Sequence, residues 1–303
     1  MRYAASHKKI CIPTRCHPLH AVLFLFFLLL FASPACAHKV LIIGDTQYAI
    51  VADVVSGIQA SIRLQSKEYA TSEVKGRLSA IVEREDASIV VALGMEAVHE
   101  ALRLPPSIRV VYGLVAAPLK TGRPHVTGVY MSPPVREYVA MLRNYLPELS
   151  KFSVVGSQSM IKSLIDGNSF QVSTHNVSNS ADLVSTVNQL RDTRALLLLP
   201  DANLLTAPVM ANVLLYSFKH NIPLLGISEA HVKQGALFAL VFDHKAVSHQ
   251  IGAKVQSIHN GMDAEESSAA PPNKYNLYIN HNTARKMGIE IPDAMTRMAR
   301  KIY

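Results

Sequence analysis

Six short apolar runs recur along this 303-residue chain, and a glycine or proline follows each of them. The runs show no alternation with polar residues, which is typical of strands buried on both faces of a parallel sheet. Such a sheet needs covering helices and a crossover between successive strands. The runs occupy residues 40–43, 89–93, 110–112, 152–155, 195–199 and 222–225.

Helical patterns fill the spaces between these runs. Apolar residues return there at spacings of three and four, which predicts amphipathic helices that cover the sheets. The alternation of strand and helix indicates an α/β fold with right-handed crossovers. The predicted helices span residues 51–62, 72–82, 97–102, 134–146, 181–190, 207–219 and 246–259.

Residues 1–37 have the features of an export signal. They hold four basic residues, no acid, an 11-residue apolar core at 21–31, and the small residues Ala35 and Ala37 around Cys36. This order predicts cleavage after Ala37 and a periplasmic protein. A transmembrane helix is the weaker interpretation, because it needs about 20 apolar residues. Lipidation of Cys36 is a further alternative, although residues 33–35 lack the aliphatic residue with which a lipobox usually begins.

Composition argues against several classes of function. The formal net charge of +8 falls to +4 without residues 1–37, and no run of Lys or Arg follows them, which argues against nucleic-acid binding. All three cysteines lie in that segment, so the rest of the chain has no thiol for catalysis, disulfides or thiolate metal sites. The later histidines lack zinc-helix spacing, and hydrolase and phosphate-loop motifs are missing. We expect no enzyme activity, metal or cofactor.

The length of the chain favours two lobes. The 266 residues after residue 37 are near the size at which a single core stops growing. Residues 124–129 lack helical periodicity, and residues 264–274 form a small, acidic linker with proline, so both are predicted to cross between lobes. The predicted first lobe comprises residues 38–127 and 244–272. The predicted second lobe comprises residues 128–243 and 273–303.

Several blocks of the sequence resemble one protein family. The most specific are residues 232–237, which read Val-Lys-Gln-Gly-Ala-Leu, and the block at 280–292. Weaker similarity covers residues 91–94, 127–129, 142–147, 197–201, 221–224, 229–231 and 277–279. On these residues the chain resembles exported ABC-transporter substrate-binding proteins of the tryptophan/tyrosine-binder type.

The resemblance implies the two-lobed type I periplasmic-binding-protein fold. Each lobe would be a parallel sheet covered by helices, and the lobes would close on a small-molecule ligand. The implied partners are an ABC permease and ATPase, and we expect a monomer. A receptor subunit for a membrane histidine kinase or cyclase needs the same cleft, so this sensory role stays open. An exported α/β enzyme is a third, weaker alternative.

The chain departs from the family pattern at two strand ends. Ser/Thr-rich residues that can hold a ligand carboxylate usually follow the glycine at position 94, whereas this chain has Met95 and Glu96. A polar pair is common after the next strand, whereas this chain has Ala116 and Ala117. We therefore expect an amphipathic ligand whose cationic end meets acids and hydroxyls. Free amino acids would need backbone N–H groups for their carboxylate.

The predicted ligand-binding residues follow strands in both lobes. In open α/β sheets ligands bind beyond the carboxyl ends of the strands. Each polar residue among them also suits a helix cap or a turn, which is the alternative interpretation. The set comprises Asp45, Thr46, Gln47, Tyr48, Gly94, Met95, Glu96, Ala116, Ala117, Ser157, Gln158, Asp201, Asn203, Ser228, Glu229 and Phe242.

Overall fold

The structure is a computed structural model that describes residues 39–165, 172–262, 264 and 268–303. The predicted export signal, with Cys36 and the cleavage site after Ala37, lies outside these residues. Within the described ranges, no helix is both long enough and apolar enough to cross a bilayer.

Five parallel strands form the first sheet. They are β1 (Lys39–Ile43), β2 (Ser66–Tyr69), β3 (Ala87–Leu93), β4 (Arg109–Val115) and β5 (Val126–Tyr130). Their order in the sheet is β2-β1-β3-β4-β5. β1, β3 and β4 confirm three of the predicted apolar runs, and they are almost wholly buried. β2 reads Ser-Lys-Glu-Tyr and gave no signal, because it is an edge strand that is only partly buried.

Seven strands form the second sheet. They are β6 (Phe152–Gly156), β7 (Ser173–Asn176), β8 (Ala195–Leu198), β9 (Leu224–Gly226), β10 (Phe238–Phe242), β11 (Tyr275–Ile279) and β12 (Ala299–Ile302). Their order is β12-β11-β10-β9-β8-β6-β7. β6, β8 and β9 confirm the other three predicted runs.

The second sheet is mixed, whereas the sequence predicted a parallel one. β11 pairs antiparallel with β10, so that Phe242 at the end of β10 lies opposite Tyr275 at the start of β11. β12 runs parallel to β11, and the remaining pairs are parallel. The chain returns to the sheet at the end where it left, so the new strand has to run back along β10.

Helices cover both sheets. They are α1 (Ala49–Ser61), α2 (Thr71–Val74), α3 (Leu78–Arg84), α4 (Met95–Ala101), α5 (Val135–Tyr145), α6 (Gln158–Leu164), α7 (Ser180–Gln189), α8 (Ala207–His220), α9 (Glu229–Gln234), α10 (His244–His259), α11 (His281–Lys286) and α12 (Asp293–Met298). The predicted helices are confirmed, except that 72–82 is split. Gly76, with φ of +69°, separates α2 from α3 in a left-handed conformation that favours glycine.

The chain passes between the sheets at several places. All of β5 belongs to the first sheet, where Tyr130 pairs with Val115. The predicted boundary between residues 127 and 128 therefore falls inside a strand, and the crossing follows Tyr130. Phe242 ends β10, and α10 then begins at His244 and packs on the first sheet. A further crossing joins residue 270, which bridges Val129, to β11.

Helices α1 and α10 pack unusually closely. A Cβ on Gly57 would collide with Ser248, and a Cβ on Gly252 would collide with Ser61. Glycines therefore let the two helix backbones approach each other. This contact fixes α10 to the first lobe although it follows the second-sheet strand β10. We use "first lobe" for the first sheet with α1–α4 and α10, and "second lobe" for the second sheet with its remaining helices.

Candidate functional site

A cavity of about 370 Å³ lies where the carboxyl ends of strands from both sheets meet. The first lobe and the segment after it contribute residues that follow β4 and β5. The second lobe contributes residues that follow β8 and β9, together with the end of β10. The lining residues are Ala116, Met131, Ser132, Pro133, Pro200, Asp201, Ala202, Leu205, Ile227, Ser228, His231, Leu240 and Phe242.

An irregular end of β4 shapes the first-lobe wall. Leu114 has φ of +55°, and the pairing of β4 with β5 shifts register between Tyr112 and Val115. A left-handed conformation is uncommon for a leucine and is strained. The Met131 N–H then donates to the Val115 carbonyl at 2.8 Å, which draws the two strand ends together. The bend delivers Ala116 and Met131 to the cavity.

Asp201 supplies a carboxylate from the turn after β8. The Asn203 N–H donates to Asp201 Oδ1 at 3.1 Å, and the backbone carbonyl of Asp201 accepts from Leu204 and Leu205. The predicted residue Asn203 is therefore an exposed part of this turn and does not line the cavity. Among the described residues, Asp201 Oδ2 has no hydrogen-bond partner. One oxygen of this half-buried carboxylate can thus accept a further hydrogen bond.

Ser228 and His231 come from the start of α9. The Ser228 hydroxyl is the N-cap of the helix and accepts from the His231 N–H at 3.2 Å. One helical turn then places the half-buried His231 side chain beside Ser228 in the cavity wall. Burial lowers the pKa of His231, because desolvation disfavours the imidazolium. His231 is therefore a neutral hydrogen-bonding group near pH 7.

The cavity carries little charge. Asp201 is the acid among its lining residues, and no Lys or Arg is among them in the described part of the chain. The other lining side chains are mostly apolar, with Leu240 and Phe242 from β10 and Met131 from the first crossing. The site can accept a small, largely apolar molecule and offers it a carboxylate, a hydroxyl and a neutral imidazole.

The structure brings four of the predicted residues to this cavity. They are Ala116, Asp201, Ser228 and Phe242. The prediction missed His231, although a histidine three positions after a helix-capping serine is a recognisable signal. It also missed the Met131-Ser132-Pro133 turn, because the sequence predicts a crossing at 124–129 and not a strand that ends at Tyr130. The flanking apolar residues Pro200, Ala202, Leu205, Ile227 and Leu240 carried no chemical signal.

Glu229 lies next to Ser228 in the chain but turns away from the cavity. Its carboxylate accepts a hydrogen bond from the Tyr303 hydroxyl and lies 3.3 Å from Lys233 Nζ and 3.7 Å from Lys301 Nζ. The Tyr303 hydrogen bond and these ammonium groups lower the pKa of Glu229. This acid joins α9 to the edge strand β12, which corrects the expectation that it faces the ligand.

The first-lobe polar residues predicted for the site do not line the cavity. Asp45 Oδ1 accepts from the Thr71 N–H at 2.9 Å and so holds the start of α2. Tyr48, 60% exposed, precedes α1, and Met95, 43% exposed, begins α4. Five neighbouring predicted residues also lie outside the cavity wall, namely Thr46, Gln47, Gly94, Glu96 and Ala117.

Two second-lobe predictions also lie outside the cavity wall. The Ser157 hydroxyl hydrogen-bonds the Ser159 hydroxyl at 3.1 Å before α6, and Gln158 is exposed. Both follow β6, whereas the cavity is bounded in the second sheet by β8, β9 and β10. In the described residues, no group of three or more His, Cys, Asp and Glu side chains could hold a metal ion.

Comparison with known proteins gives the context of this site. The family model described as ABC transporter substrate binding protein matches residues 109–303, which include every residue of the cavity wall. No curated protein sequence matches the chain significantly.

Solved structures of similar fold include the ABC domain of a Streptococcus pneumoniae protein in complex with L-Trp. It is 17% identical, with a TM-score of 0.57, and the match covers 88% of this chain and 99% of that one. A conserved domain protein from Vibrio cholerae is also 17% identical with a TM-score of 0.57, covering 88% and 100%.

A ligand-free, open substrate binding protein with adhesive properties from Clostridium difficile has a TM-score of 0.63 at 15% identity, covering 87% and 98%. These neighbours share the two-lobed α/β fold with this chain. Since the family model covers more than half of the sequence, the chain belongs to the ABC transporter substrate binding protein family.

Proposed function

We propose that the protein is exported to the periplasm, captures a small organic solute in the cavity between its lobes, and delivers it to an ABC importer. The cavity carries this proposal. It lies beyond the carboxyl ends of strands from both sheets, where α/β proteins bind ligands. Its whole wall falls within the residues that match the substrate-binding family.

Capture involves closure of the lobes about the crossing segments. Thr127 and Val129 are wholly buried within β5, so the rotation falls on the residues after Tyr130 and not within the predicted crossing at 124–129. Asp243, between β10 and α10, is a second pivot. Its carboxylate caps α10 through the Ala246 N–H at 3.0 Å and accepts from Asn276 of the second lobe at 3.2 Å.

The test of capture uses the solute that the protein itself retains. Protein lacking residues 1–37 is purified without denaturation, and its bound small molecules are released and identified by mass spectrometry. Adding the identified solute back at a hundredfold excess over Kd should stabilise the fold by about 2.7 kcal/mol. Small-angle scattering should show a smaller radius of gyration at the same time. A melting shift without compaction would contradict closure.

Export has its own test. N-terminal sequencing of the protein from the periplasmic fraction should begin at His38, because the small residues Ala35 and Ala37 fit a signal-peptidase site. A protein that retains Met1, or one that carries lipid on Cys36, would contradict this route.

A further inference from the structure

We propose that the solute is an organic monocation with an apolar body and no carboxylate, and that Asp201 receives its charged nitrogen. This inference rests on the proposed function, because it assumes that the cavity is the solute site. It goes beyond that function by fixing the charge class of the solute.

The charge of the wall is the first argument. Asp201 lies among apolar side chains such as Leu205 and Ile227, and its Oδ2 has no hydrogen-bond partner in the described part of the chain. A half-buried carboxylate surrounded by apolar groups favours a cation beside it, because solvent stabilises the charge less there. Ser228 and the neutral His231 add hydrogen-bonding atoms that carry no charge.

The backbone gives the second argument, which concerns zwitterions. An amino acid would bring a carboxylate that needs a cation or free N–H groups. Three N–H groups of the turn at Asp201 are already used, since the Asn203 N–H binds Asp201 Oδ1 and the next two N–H groups bind the Asp201 carbonyl. No Lys or Arg of the described chain lines the cavity. A ligand carboxylate would instead meet the like charge of Asp201.

The third argument comes from the volume of the cavity and from the apolar part of its wall. A volume of about 370 Å³ is at the lower end of the range for ligand pockets. Met131, Leu240 and Phe242 offer apolar surface to a body of about one or two rings. This apolar surface offers no partner to a second charged group on the ligand.

Two matched series test the charge class. One comprises 2-phenylethylamine, phenylalanine and 3-phenylpropionate, and the other tryptamine, tryptophan and indole-3-propionate. Thermal melting and calorimetry are measured on the unsubstituted protein, Asp201→Asn and the control Asp192→Asn. Asp192 is exposed, lies in the loop before β8, and has φ of +56°, which asparagine also tolerates.

We expect an amine to bind more tightly than its amino-acid and carboxylate counterparts. Asp201→Asn should weaken that binding by about ten- to a hundredfold, and Asp192→Asn should leave it unchanged. Tighter binding of a carboxylate or amino acid that survives Asp201→Asn would overturn the charge class while supporting the proposed function. If none of the six compounds binds at 10 mM, the inferred solute class fails, whereas the proposed function is judged separately by whether the co-purified solute binds.

Discussion

Asp45 and Asp201 both follow a buried strand, yet they serve different purposes in the two lobes. Asp45 accepts the Thr71 N–H and so supports the start of α2. Asp201 accepts an N–H within its own turn, and among the described residues each of the two carboxylates keeps one oxygen without a hydrogen-bond partner. The difference is one of position, because Asp201 lines the cavity and Asp45 does not.

The same contrast holds for the wider regions. Residues 39–108 precede the stretch that matches the family model, and they contribute nothing to the cavity wall. Residues 109–303 supply the wall from three strand ends of the second sheet and two of the first. A strand end becomes part of the site where the loop that follows it reaches the cavity wall, and its polar groups can be hydrogen-bonded there, as the Ser228 hydroxyl is.

The largest effect is expected from Asp201, with Glu229 as the comparison in the same lobe. Asp201→Ala should weaken binding of the co-purified solute by about 1.5 to 3 kcal/mol, because it removes a hydrogen-bonded charge. Glu229→Ala should leave affinity unchanged, since its carboxylate binds Tyr303. Calorimetry on both variants decides the point. A loss of affinity in Glu229→Ala would return that residue to the site.

A packing change in the first lobe should affect stability and not the binding contacts. Gly252→Ala should lower the free energy of unfolding by about 1 to 3 kcal/mol, because its new Cβ overlaps Ser61. Urea denaturation measures this loss. The double variant with Ser61→Gly should recover most of it. If the double variant is no more stable than the single one, the close α1–α10 contact is not the cause.

Loss of the Asp45 carboxylate should reduce stability by a smaller amount and leave solute binding unchanged. Asp45→Ala leaves the Thr71 N–H without its partner, so the free energy of unfolding should fall by about 0.5 to 2 kcal/mol, as for a lost helix cap. Affinity for the solute should stay within experimental error. Denaturation and calorimetry on the same variant separate the two readouts, and a binding defect at unchanged stability would place Asp45 in the site.

Two histidines, one in each lobe, should make stability and solute binding depend on pH. His125, in the first lobe, is buried, and neither ring nitrogen has a hydrogen-bond partner in the described structure. Burial, followed by the nearby Arg123 and Arg109, lowers the pKa of His125. Its unfolded form therefore takes up a proton first as the pH falls below about 6.5. The free energy of unfolding should then decrease with falling pH until His125 is also protonated in the fold, by up to about 1.4 kcal/mol per pH unit.

The check is the pH dependence of urea unfolding in His125→Gln, with His99→Gln as an exposed control. The slope below pH 6.5 should flatten in the first variant and persist in the second. Equal slopes in His125→Gln and the unsubstituted protein would remove His125 as the source of the pH dependence.

In the second lobe, protonation of His231 should instead weaken binding of a cationic solute, because imidazolium would repel it.

The smallest effect is expected at the exposed edge of the first lobe. Tyr48→Ala should change both affinity and stability by less than about 0.5 kcal/mol, since the ring is 60% exposed and lies outside the cavity wall. Calorimetry on this variant is a sharp test of whether the first strand end takes part in binding. A tenfold loss of affinity would show that closure brings Tyr48 onto the ligand.

Local pattern explains which parts of the fold could be predicted. A continuous apolar run such as residues 89–93 needs no distant partner to be recognised, and neither does the helical spacing of residues 246–259. β2, which is polar and at an edge, gave no such signal. The direction of β11 also could not be read, because it depends on where the chain re-enters the second sheet.

The site shows the same division. From the sequence alone, polar residues at strand ends were recognisable, and the family resemblance placed them near a ligand. Asp201 and Glu229 looked alike at that level, because each acid shortly follows an apolar strand. The tertiary structure separated them. β12 brings Lys301 and Tyr303 to Glu229 from more than seventy positions away, whereas the turn at Asp201 closes on itself and leaves one oxygen without a described partner. Secondary structure followed from contacts between near neighbours in the chain. The pairing of Glu229 and the position of Asp201 across from Ala116 and Met131 depended on long-range packing that local sequence does not encode.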